Sequence, residues 1–588
     1  MKNASYNSSY GSVQGPVLPA PPLNTAPTFR HRRSLILASS LLLSFFIITF
    51  LNISPREAST SPSELLHLTS SDETSSSSTF PTIEVKMVKE RNITLGDTTL
   101  KLENYYKVEA PKFILASPKD TLSISVVNDL KVTQPDSDSD EHLSMNDLPP
   151  RGTLQSSTIS YHLHGFHGPS SPGDGSTTDD FMHSVPPSSA QTTNYPLEDT
   201  VNHMYYHLHH HTTSASVTLE TVENGGSTSV ILEDPLTILQ QVVHLTAVNF
   251  FDGQLRSVKG ARGLTSSLDA GVTGDTSKFK KTTFLVNGEL NPTLPPPPPS
   301  SSSSSSSSAL RLRICNAGVG DTILLNFTSP RVEIGRDGVF SSPRAKSPDV
   351  ITVLPPGSRL DVIVYGGGKV YSSCKLDELN YIGPKTDVHC WLGSGNNPGS
   401  TFPSIELFSI GGPPLSSVPS SPIPVPSHPL YSSSTSLLSL PPSSVHPLTL
   451  KYYTGPKIPS PPSHTPSTIY GINLHPYTPT VSVTTCNSKV SEWTIINNST
   501  TNHPFHLHRV HFQIVNFSCY SAECLNNFDY EIGDWRDTIT IPSPGEVKIR
   551  FMNDGWVGES LAHCHIFGHE DRGMAVKVLF KDEKECPF

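Results

Sequence analysis

Short apolar runs separated by turn residues dominate the chain from about residue 81 onward. β-Branched and aromatic residues fill these runs, and Gly, Pro, Asn and Asp separate them, which is the pattern of strands rather than helices. Examples are TIEVKMV, TLSISVVNDL and STISYHLHG, then TILQQVVHLTAV and RLDVIVYG, then SEWTIIN and VKIRFMN. The sequence therefore predicts an all-β protein of three antiparallel β-sandwich domains in series, at residues 81–235, 236–410 and 446–588.

Two low-complexity segments interrupt this pattern. Pro295–Pro299, followed by Ser300–Ser308, cannot contribute to a core and is predicted to loop out of the second domain. Residues 411–445 are also rich in Pro and Ser, and we interpret them as the linker between the second and third domains.

One long apolar run lies near the N-terminus. Residues 34–53 contain no charge, have the length that spans a bilayer as a helix, and follow three arginines, so we predict a transmembrane signal-anchor. Residues 1–33 would then be a disordered cytoplasmic tail, and residues 54–80 a Ser/Thr-rich stalk outside the cytoplasm. The alternative is a cleaved signal peptide and a secreted protein. Four glycosylation triplets agree with an extracellular or lumenal address: they begin at Asn92, Asn326, Asn498 and Asn516.

Composition narrows the choice of partner. The net charge is −11 over 588 residues, so no basic surface is available to neutralise phosphates and a nucleic-acid partner is excluded. The chain has eight cysteines, too few for a disulfide scaffold. If one cysteine binds a metal, seven remain, and at least one of those lacks an intramolecular partner.

Histidines cluster in four segments, YHLHGFHG, YYHLHHH, HPFHLHRVH and HCHIFGHEDRGM. For 25 histidines in this length about one His-x-His pair is expected by chance, whereas the chain has five. They are His162/His164, His207/His209, His209/His211, His506/His508 and His563/His565. In a strand, residues i and i+2 point to the same face, so each pair presents two imidazoles together. Imidazole pairs from distant segments could therefore enclose several metal ions.

The last histidine segment indicates which metal. Cys564 lies between His563 and His565, so on a strand its thiolate faces away from both imidazoles. His569 and Met574 follow at spacings that fit two His, one Cys and a weak axial Met, the ligand set of a blue-copper electron-transfer site. His503, offset from the His506/His508 pair, is the natural second imidazole. A zinc site competes poorly because structural zinc needs only about four ligands.

These residues resemble the multicopper oxidases, the family of laccases, bilirubin oxidases, ferroxidases and ascorbate oxidase. The resemblance covers residues 81–588 and is strongest at 493–580. HLHG at 162–165 and HLH at 207–209 resemble the first two copper motifs of the family, and HPFHLH and HCHIFGHEDRGM resemble the third and fourth. The resemblance implies three cupredoxin-like Greek-key β-sandwich domains, with a three-copper cluster between the first and third domains.

The resemblance also implies a ligand for each of four copper ions. The type 1 copper would use His503, Cys564, His569 and Met574, and the type 2 copper His162 and His506. The type 3 pair would share His164, His207, His209, His508, His563 and His565. Because His210 and His211 extend the second motif, the pair His209/His211 remains an alternative there.

The implied reaction is the oxidation of a small reductant coupled to reduction of dioxygen to water. Glu570 and Asp174 match positions where the family places acids near the cluster, so each is either a proton donor or a carboxylate that orients a ligand. The reductant could be a phenol or tetrapyrrole, as in laccases and bilirubin oxidases, or Fe(II) or Mn(II), as in ferroxidases. The alternative from another class is a non-catalytic copper-binding cell-surface protein on the same fold.

Overall fold

Thirty-two strands account for nearly all regular secondary structure in the part of the chain that this computed structural model describes. The description covers residues 81–586 except 112, 130–158, 169–178, 181–183, 199, 210–226, 237, 252–253, 257–269, 274–281, 297–308, 319, 321, 349, 373–404, 416, 419–423, 433–434, 444–447, 455–469, 474, 479, 481, 500–501, 521–529, 554–555 and 571–572. The predicted tail, anchor and stalk (residues 1–80) lie outside it. Among the described residues no helix is long and apolar enough to cross a membrane.

Nine strands form the N-terminal group, and they pack around one hydrophobic core that includes Ile83, Leu163 and Val230. The strands are β1 Thr82–Leu95, β2 Thr98–Glu109, β3 Phe113–Ala116, β4 Thr121–Asn128, β5 Ile159–His164, β6 Ser184–Val185, β7 Ser189–Pro196, β8 His203–Leu208 and β9 Thr228–Leu232.

Twelve strands form the middle group, with a core that includes Leu245, Leu312 and Val362. The strands are β10 Gln240–Phe251, β11 Gln254–Arg256, β12 Ala270–Thr273, β13 Thr282–Val286, β14 Thr293–Leu294, β15 Ala309–Asn316, β16 Ile323–Phe327, β17 Arg331–Arg336, β18 Val339–Lys346, β19 Thr352–Leu354, β20 Arg359–Ser372 and β21 Ile405–Pro414.

Eleven strands and two short helices form the C-terminal group, whose core includes Trp493, Phe505 and Cys564. The strands are β22 Leu448–Thr454, β23 Tyr470–Ile472, β24 Ser482–Cys486, β25 Val490–Asn497, β26 His503–Leu507, β27 Phe512–Cys519, β28 Trp535–Arg536, β29 Thr538–Ile541, β30 Gly545–Met552, β31 Gly558–Cys564 and β32 Ala575–Lys581. The helices are α1 Phe567–Glu570 and a 3-10 turn Glu583–Glu585.

The predicted antiparallel pairing is wrong for several strand pairs, because the sheets are mixed. The first strand of each group runs parallel to a later strand: β1 to β4, β10 to β15, and β22 to β25. β3–β9 and β24–β32 are parallel as well. Parallel neighbours need a crossover connection, which a strand-and-turn pattern does not reveal.

The strands that carry the histidine segments belong to two five-stranded sheets. In the first the order is β3-β9-β8-β5-β6, and in the second β24-β32-β31-β26-β29. β5 and β8 are therefore neighbours in one sheet, and β26 and β31 are neighbours in the other. The disulfide Cys486–Cys586 lies in the C-terminal group, where Cys519 is disulfide-bonded as well, and Cys315 is a buried free cysteine.

Candidate metal centre

Strand alternation divides the side chains of β5 and β8 between a core and a site. Tyr161 and Leu163 belong to the hydrophobic core, whereas His162 and His164 point to the opposite face. The antiparallel register places His162 directly opposite His207, so the two histidine segments meet at one position on this face. Every residue of β5 is buried, which means that the imidazole face is covered as completely as the apolar face.

Strand alternation also separates the side chains of β26 and β31 between two faces. Opposed residues in an antiparallel pair share a face, and here His506 is opposed to His563 and Phe505 to Cys564. His503, two positions before Phe505, therefore lies on the face of Cys564, and His563 lies on the other. The expectation that sulfur and the flanking nitrogens serve different groups agrees with this geometry.

Cys564 forms a compact group with two of the histidines predicted to accompany it. Its Sγ lies 3.6 Å from Nδ1 of His503 and 3.7 Å from Nδ1 of His569, and the two nitrogens are 3.2 Å apart. Met574, predicted as the axial ligand, is fully buried and its backbone pairs with Cys564 and His569. His569 is partly exposed and stacks on Tyr470 with ring centroids 4.3 Å apart, so this group opens to solvent at His569.

The remaining eight predicted histidines form three further groups around one buried space. In each group one ligand atom per residue lies within 4.8 Å of the others. The groups are His162/His164/His506, His164/His207/His565 and His209/His508/His563. Each joins residues from the N-terminal strands to residues from the C-terminal strands, as the resemblance implies. His207 and His209 both take part, while His210 and His211 lie outside the described residues.

Five ring nitrogens in this space have no protein hydrogen-bond partner although they are buried: His162 Nε2, His164 Nδ1, His207 Nε2, His506 Nε2 and His565 Nδ1. An unpartnered buried polar atom is costly, and bound metal ions would satisfy all five. Burial lowers the pKa of these imidazoles below the ordinary value, for His207 to about 3, so they are neutral at pH 7. Neutral imidazole is the form that binds a metal, and the residues present therefore fit a copper cluster.

Hydrogen bonds on the other ring nitrogen fix the orientation of several rings. His207 donates from Nδ1 to the carbonyl oxygen of Leu208 at 2.7 Å, and His506 donates to that of Asp537 at 2.9 Å. His162 Nδ1 lies 2.7 Å from a carboxylate oxygen of Asp180. Such contacts leave the opposite nitrogen aimed at the shared space.

Glu570 is the one of the two predicted acids that the structure describes. It is 2% exposed, and its carboxylate lies 3.1 Å from Nδ1 of His563 and 3.5 Å from Nδ1 of His209. Glu570 thus contacts two candidate ligands directly. Asp174 falls in 169–178, outside the described residues.

Sequence reasoning missed two other acids, Asp179 and Asp180, which are buried beside the cluster. Asp179 lies 3.1 Å from Nδ1 of His508 and accepts a hydrogen bond from Ser560. Burial alone would raise the pKa of Asp179, but Arg509 at 3.2 Å and His508 lower it, so it is ionised. The adjacent pair of aspartates shortly after the first histidine motif was the available signal.

Arg509 and His511 are buried near the candidate ligands, and each donates a hydrogen bond to a backbone carbonyl oxygen. Arg509 has φ +70°, is buried, and donates to the carbonyl oxygen of Gly168. His511 Nε2 donates to the carbonyl oxygen of Asp337 at 2.8 Å. Tyr205 was not among the predicted site residues. Its hydroxyl lies 3.1 Å from Nε2 of His565, because Tyr205 and His207 are two positions apart on β8 and point to the same face.

Comparisons with known proteins found similarity at the level of sequence and of fold. Residues 449–584 match the family profile described as "Multicopper oxidase". The iron transport multicopper oxidase fio1 of Schizosaccharomyces pombe is 31% identical over 135 residues, which is 22% of this chain and only 21% of that relative.

Solved structures match over most of the chain. A multicopper oxidase of Campylobacter jejuni, described as a metallo-oxidase, superposes with a TM-score of 0.55 at 18% identity, covering 85% of this chain and 91% of that one. Fet3p, described as a multicopper oxidase that functions in iron import, gives 0.55 at 15% identity, with 85% and 90% covered. At such identities the likeness shows the cupredoxin-like fold alone. Residues 449–584 thus match a multicopper oxidase domain, and the chain has the cupredoxin-like fold of the solved multicopper oxidases over most of its length.

Proposed function

We propose that this protein is a copper-dependent oxidase with two communicating metal sites. The observation that carries the proposal is the end of β31, where Cys564 belongs to one ligand group and the adjacent His563 and His565 belong to two others. A protein that merely stored copper would have no need for a covalent connection between separate sites.

The proposal divides the residues of these groups among four copper ions in the way that the sequence resemblance implies. His503, Cys564 and His569, with Met574 as axial ligand, would hold the type 1 copper. His162 and His506 would hold the type 2 copper, and the type 3 pair would use His164, His207, His209, His508, His563 and His565. Bound there, four copper ions would supply one-electron oxidation of a reductant and four-electron reduction of dioxygen to water.

The exposure of the candidate ligands indicates where each half of the proposed reaction would take place. His569 is the partly exposed member of the Cys564 group, so a reductant would approach there. The peptide bonds on either side of Cys564 join that group to the buried histidines, which no reductant reaches from solvent because all are at most 4% exposed. Oxidation at the rim and reduction in the interior are thereby separated.

Proton supply belongs to the buried carboxylates. Reduction of dioxygen to water consumes four protons, and neutral imidazoles bound to metal cannot donate them. Glu570 contacts His563 and His209, so we propose that it holds and delivers protons to the interior. Asp174 is retained as a second proposed donor.

We propose Fe(II) as the reductant. Two similar proteins are described as an iron transport oxidase and as one that functions in iron import, and the net charge of −11 favours a cation. The proposal includes the membrane anchor at residues 34–53, which would hold the oxidase at a lumenal or extracellular surface. Mn(II), a phenol and a tetrapyrrole are the rival reductants.

The test is steady-state oxygen uptake by the copper-loaded protein with Fe(II), Mn(II), a phenol and bilirubin compared side by side. Saturable turnover with Fe(II), abolished in Cys564→Ser, is the expected result. Turnover with the phenol alone would exclude Fe(II) as the reductant but keep the oxidase. Oxygen uptake that survives Cys564→Ser would contradict the proposed electron path.

A further inference from the structure

The middle strand group supplies none of the proposed copper ligands, yet one of its residues reaches the cluster. Arg359, at the start of β20, is 0% exposed, and its guanidinium donates to five oxygens. Two of these bonds go to the carboxylate of Asp537, at 2.8 and 2.6 Å. The others go to the carbonyl oxygens of His203 and Gly357 at 3.1 Å and of Asp337 at 2.9 Å. A planar guanidinium with all its donors used has one orientation.

Asp537, which Arg359 holds in place, contacts two candidate copper ligands. Its Oδ1 lies 3.3 Å from Nε2 of His164, a residue of the N-terminal strands. Its carbonyl oxygen accepts from Nδ1 of His506, a residue of the C-terminal strands, at 2.9 Å. In both rings the opposite nitrogen is one of the unpartnered atoms that face the shared space. Arg359 thus touches neither ring but fixes the group that touches both.

Two glycines show how closely this arrangement is packed. A Cβ on Gly165, the residue after His164, would lie 2.2 Å from Nη2 of Arg359 and 3.2 Å from Oδ2 of Asp537. A Cβ on Gly357, which has φ +87°, would lie 2.9 Å from Cε1 of His164 and from Nε2 of His565. The absence of a side chain at Gly165, in the HLHG segment, therefore leaves the space that the Arg359–Asp537 ion pair occupies. The turn at Gly357 packs directly against the rings of His164 and His565.

We propose that Arg359 and the turn at Gly357 are positioning residues through which the middle strand group sets the geometry of the three-copper cluster. The inference rests on the proposed function, because it assumes that the histidines bind copper. Its physical basis is that the Asp537 carboxylate, left without its buried arginine, must reorient, which breaks its contact with His164 and shifts the residue whose backbone carbonyl holds His506.

The first test is Arg359→Lys, which keeps the charge but removes the paired donors. We expect copper in the histidine groups to be lost to a chelator about 10–100-fold faster, with an altered type 2 signal in electron paramagnetic resonance. The blue absorption of the Cys564 site should be unchanged, since Arg359 contacts none of its ligands. Arg331→Lys is the matched control: Arg331 is equally buried in the middle group, but donates to Thr352 and Val350 away from the cluster.

A second variant covers the case in which Arg359→Lys fails to fold. Gly357→Ala removes no charge and no hydrogen bond, and is expected to speed the loss of copper from the histidine groups to a chelator by displacing His164 and His565, two of the proposed type 3 ligands. Type 2 spectra and copper release identical to wild type in both variants would overturn the inference. Wild-type protein that itself binds no copper at the histidine groups would overturn the proposed function instead.

Discussion

At the scale of single residues, the site is defined by buried imidazole nitrogens that have no hydrogen-bond partner in the protein. Nitrogens of His162, His207 and His506 are buried without a partner, while the opposite nitrogen of each ring is held by a carboxylate or a carbonyl group. The histidines were predictable because their period of two matches a strand. Asp179 and Asp180 were not, because they come to the site from a segment without periodicity, and only the folded chain brings them to Arg509 and His508.

Glu570→Gln tests the proton donor at this scale. The amide keeps the size and the polarity of the side chain but cannot release a proton, so turnover is expected to fall about 100-fold. Reduction of the blue site by excess reductant without oxygen should keep its wild-type rate, because Glu570 belongs to the interior groups. Stopped-flow absorbance separates the two steps, and Glu583→Gln, on an exposed side chain, is the control. A slower anaerobic step would place Glu570 on the electron path instead.

His167→Asn tests the electrostatics around the cluster. Burial, together with His511 and His428, lowers the pKa of His167 to about 3, whereas an unfolded histidine titrates near 6.5. The unfolded chain therefore binds the extra proton, and stability is lost as the pH falls from about 6.5 toward 3. Between pH 7.5 and 4.5 the variant should lose about 3 kcal/mol less of its unfolding free energy than wild type. Urea unfolding at both pH values measures this, and equal losses would show that His167 is already charged in the fold.

At the scale of elements, two pairs of neighbouring strands build the site. β5 with β8 and β26 with β31 each place apolar side chains in a core and the imidazoles of the three buried groups on the other face, while His503 lies beside Cys564 on the core face. This was readable from the alternation of residue types. The parallel partners were not readable, since nothing in β1 or β22 marks β4 or β25 as the neighbour. The loop after β31 carries His569 and Met574 and is fixed against β23 and the turn that follows.

Gly573→Ala tests how that loop is held. Gly573 has φ +104°, and a Cβ there would lie 2.7 Å from Cβ of Pro476 and 3.0 Å from the carbonyl oxygen of Tyr470. The substitution should displace Met574 and His569 and weaken the blue absorption, while copper at the interior histidines stays. Gly96→Ala, at φ +61° with its nearest neighbour 3.4 Å away, controls for backbone strain alone. Unchanged absorption would mean that the loop position does not depend on this contact.

At the scale of the whole molecule, the site joins residues that lie up to about four hundred positions apart. The three strand-rich segments could be predicted from local patterns, and their division into three sandwich domains remains a prediction. The contact of Arg359 with Asp537 could not, because no local pattern relates β20 to the loop before β29. The disulfide Cys486–Cys586, which closes a separation of 100 residues, was equally hidden among eight cysteines.

Replacing both cysteines of that disulfide by serine tests its role. Closing a loop of this length stabilises a fold by about 4–5 kcal/mol in the chain-entropy account. The variant should unfold at a lower urea concentration but keep its copper content and blue absorption, since neither cysteine belongs to a ligand group. Loss of copper at the same time would show that the C-terminal strand also holds the site.

The central claim is that two copper sites joined by Cys564 carry electrons from a reductant to dioxygen. The most direct measurement is the ratio of Fe(II) oxidised to dioxygen consumed, with hydrogen peroxide assayed in the same reaction. The account predicts four Fe(II) per dioxygen, no peroxide, and no consumption in Cys564→Ser. A ratio of two with accumulating peroxide would contradict it, because electrons would then leave the protein before the interior cluster completes the reduction.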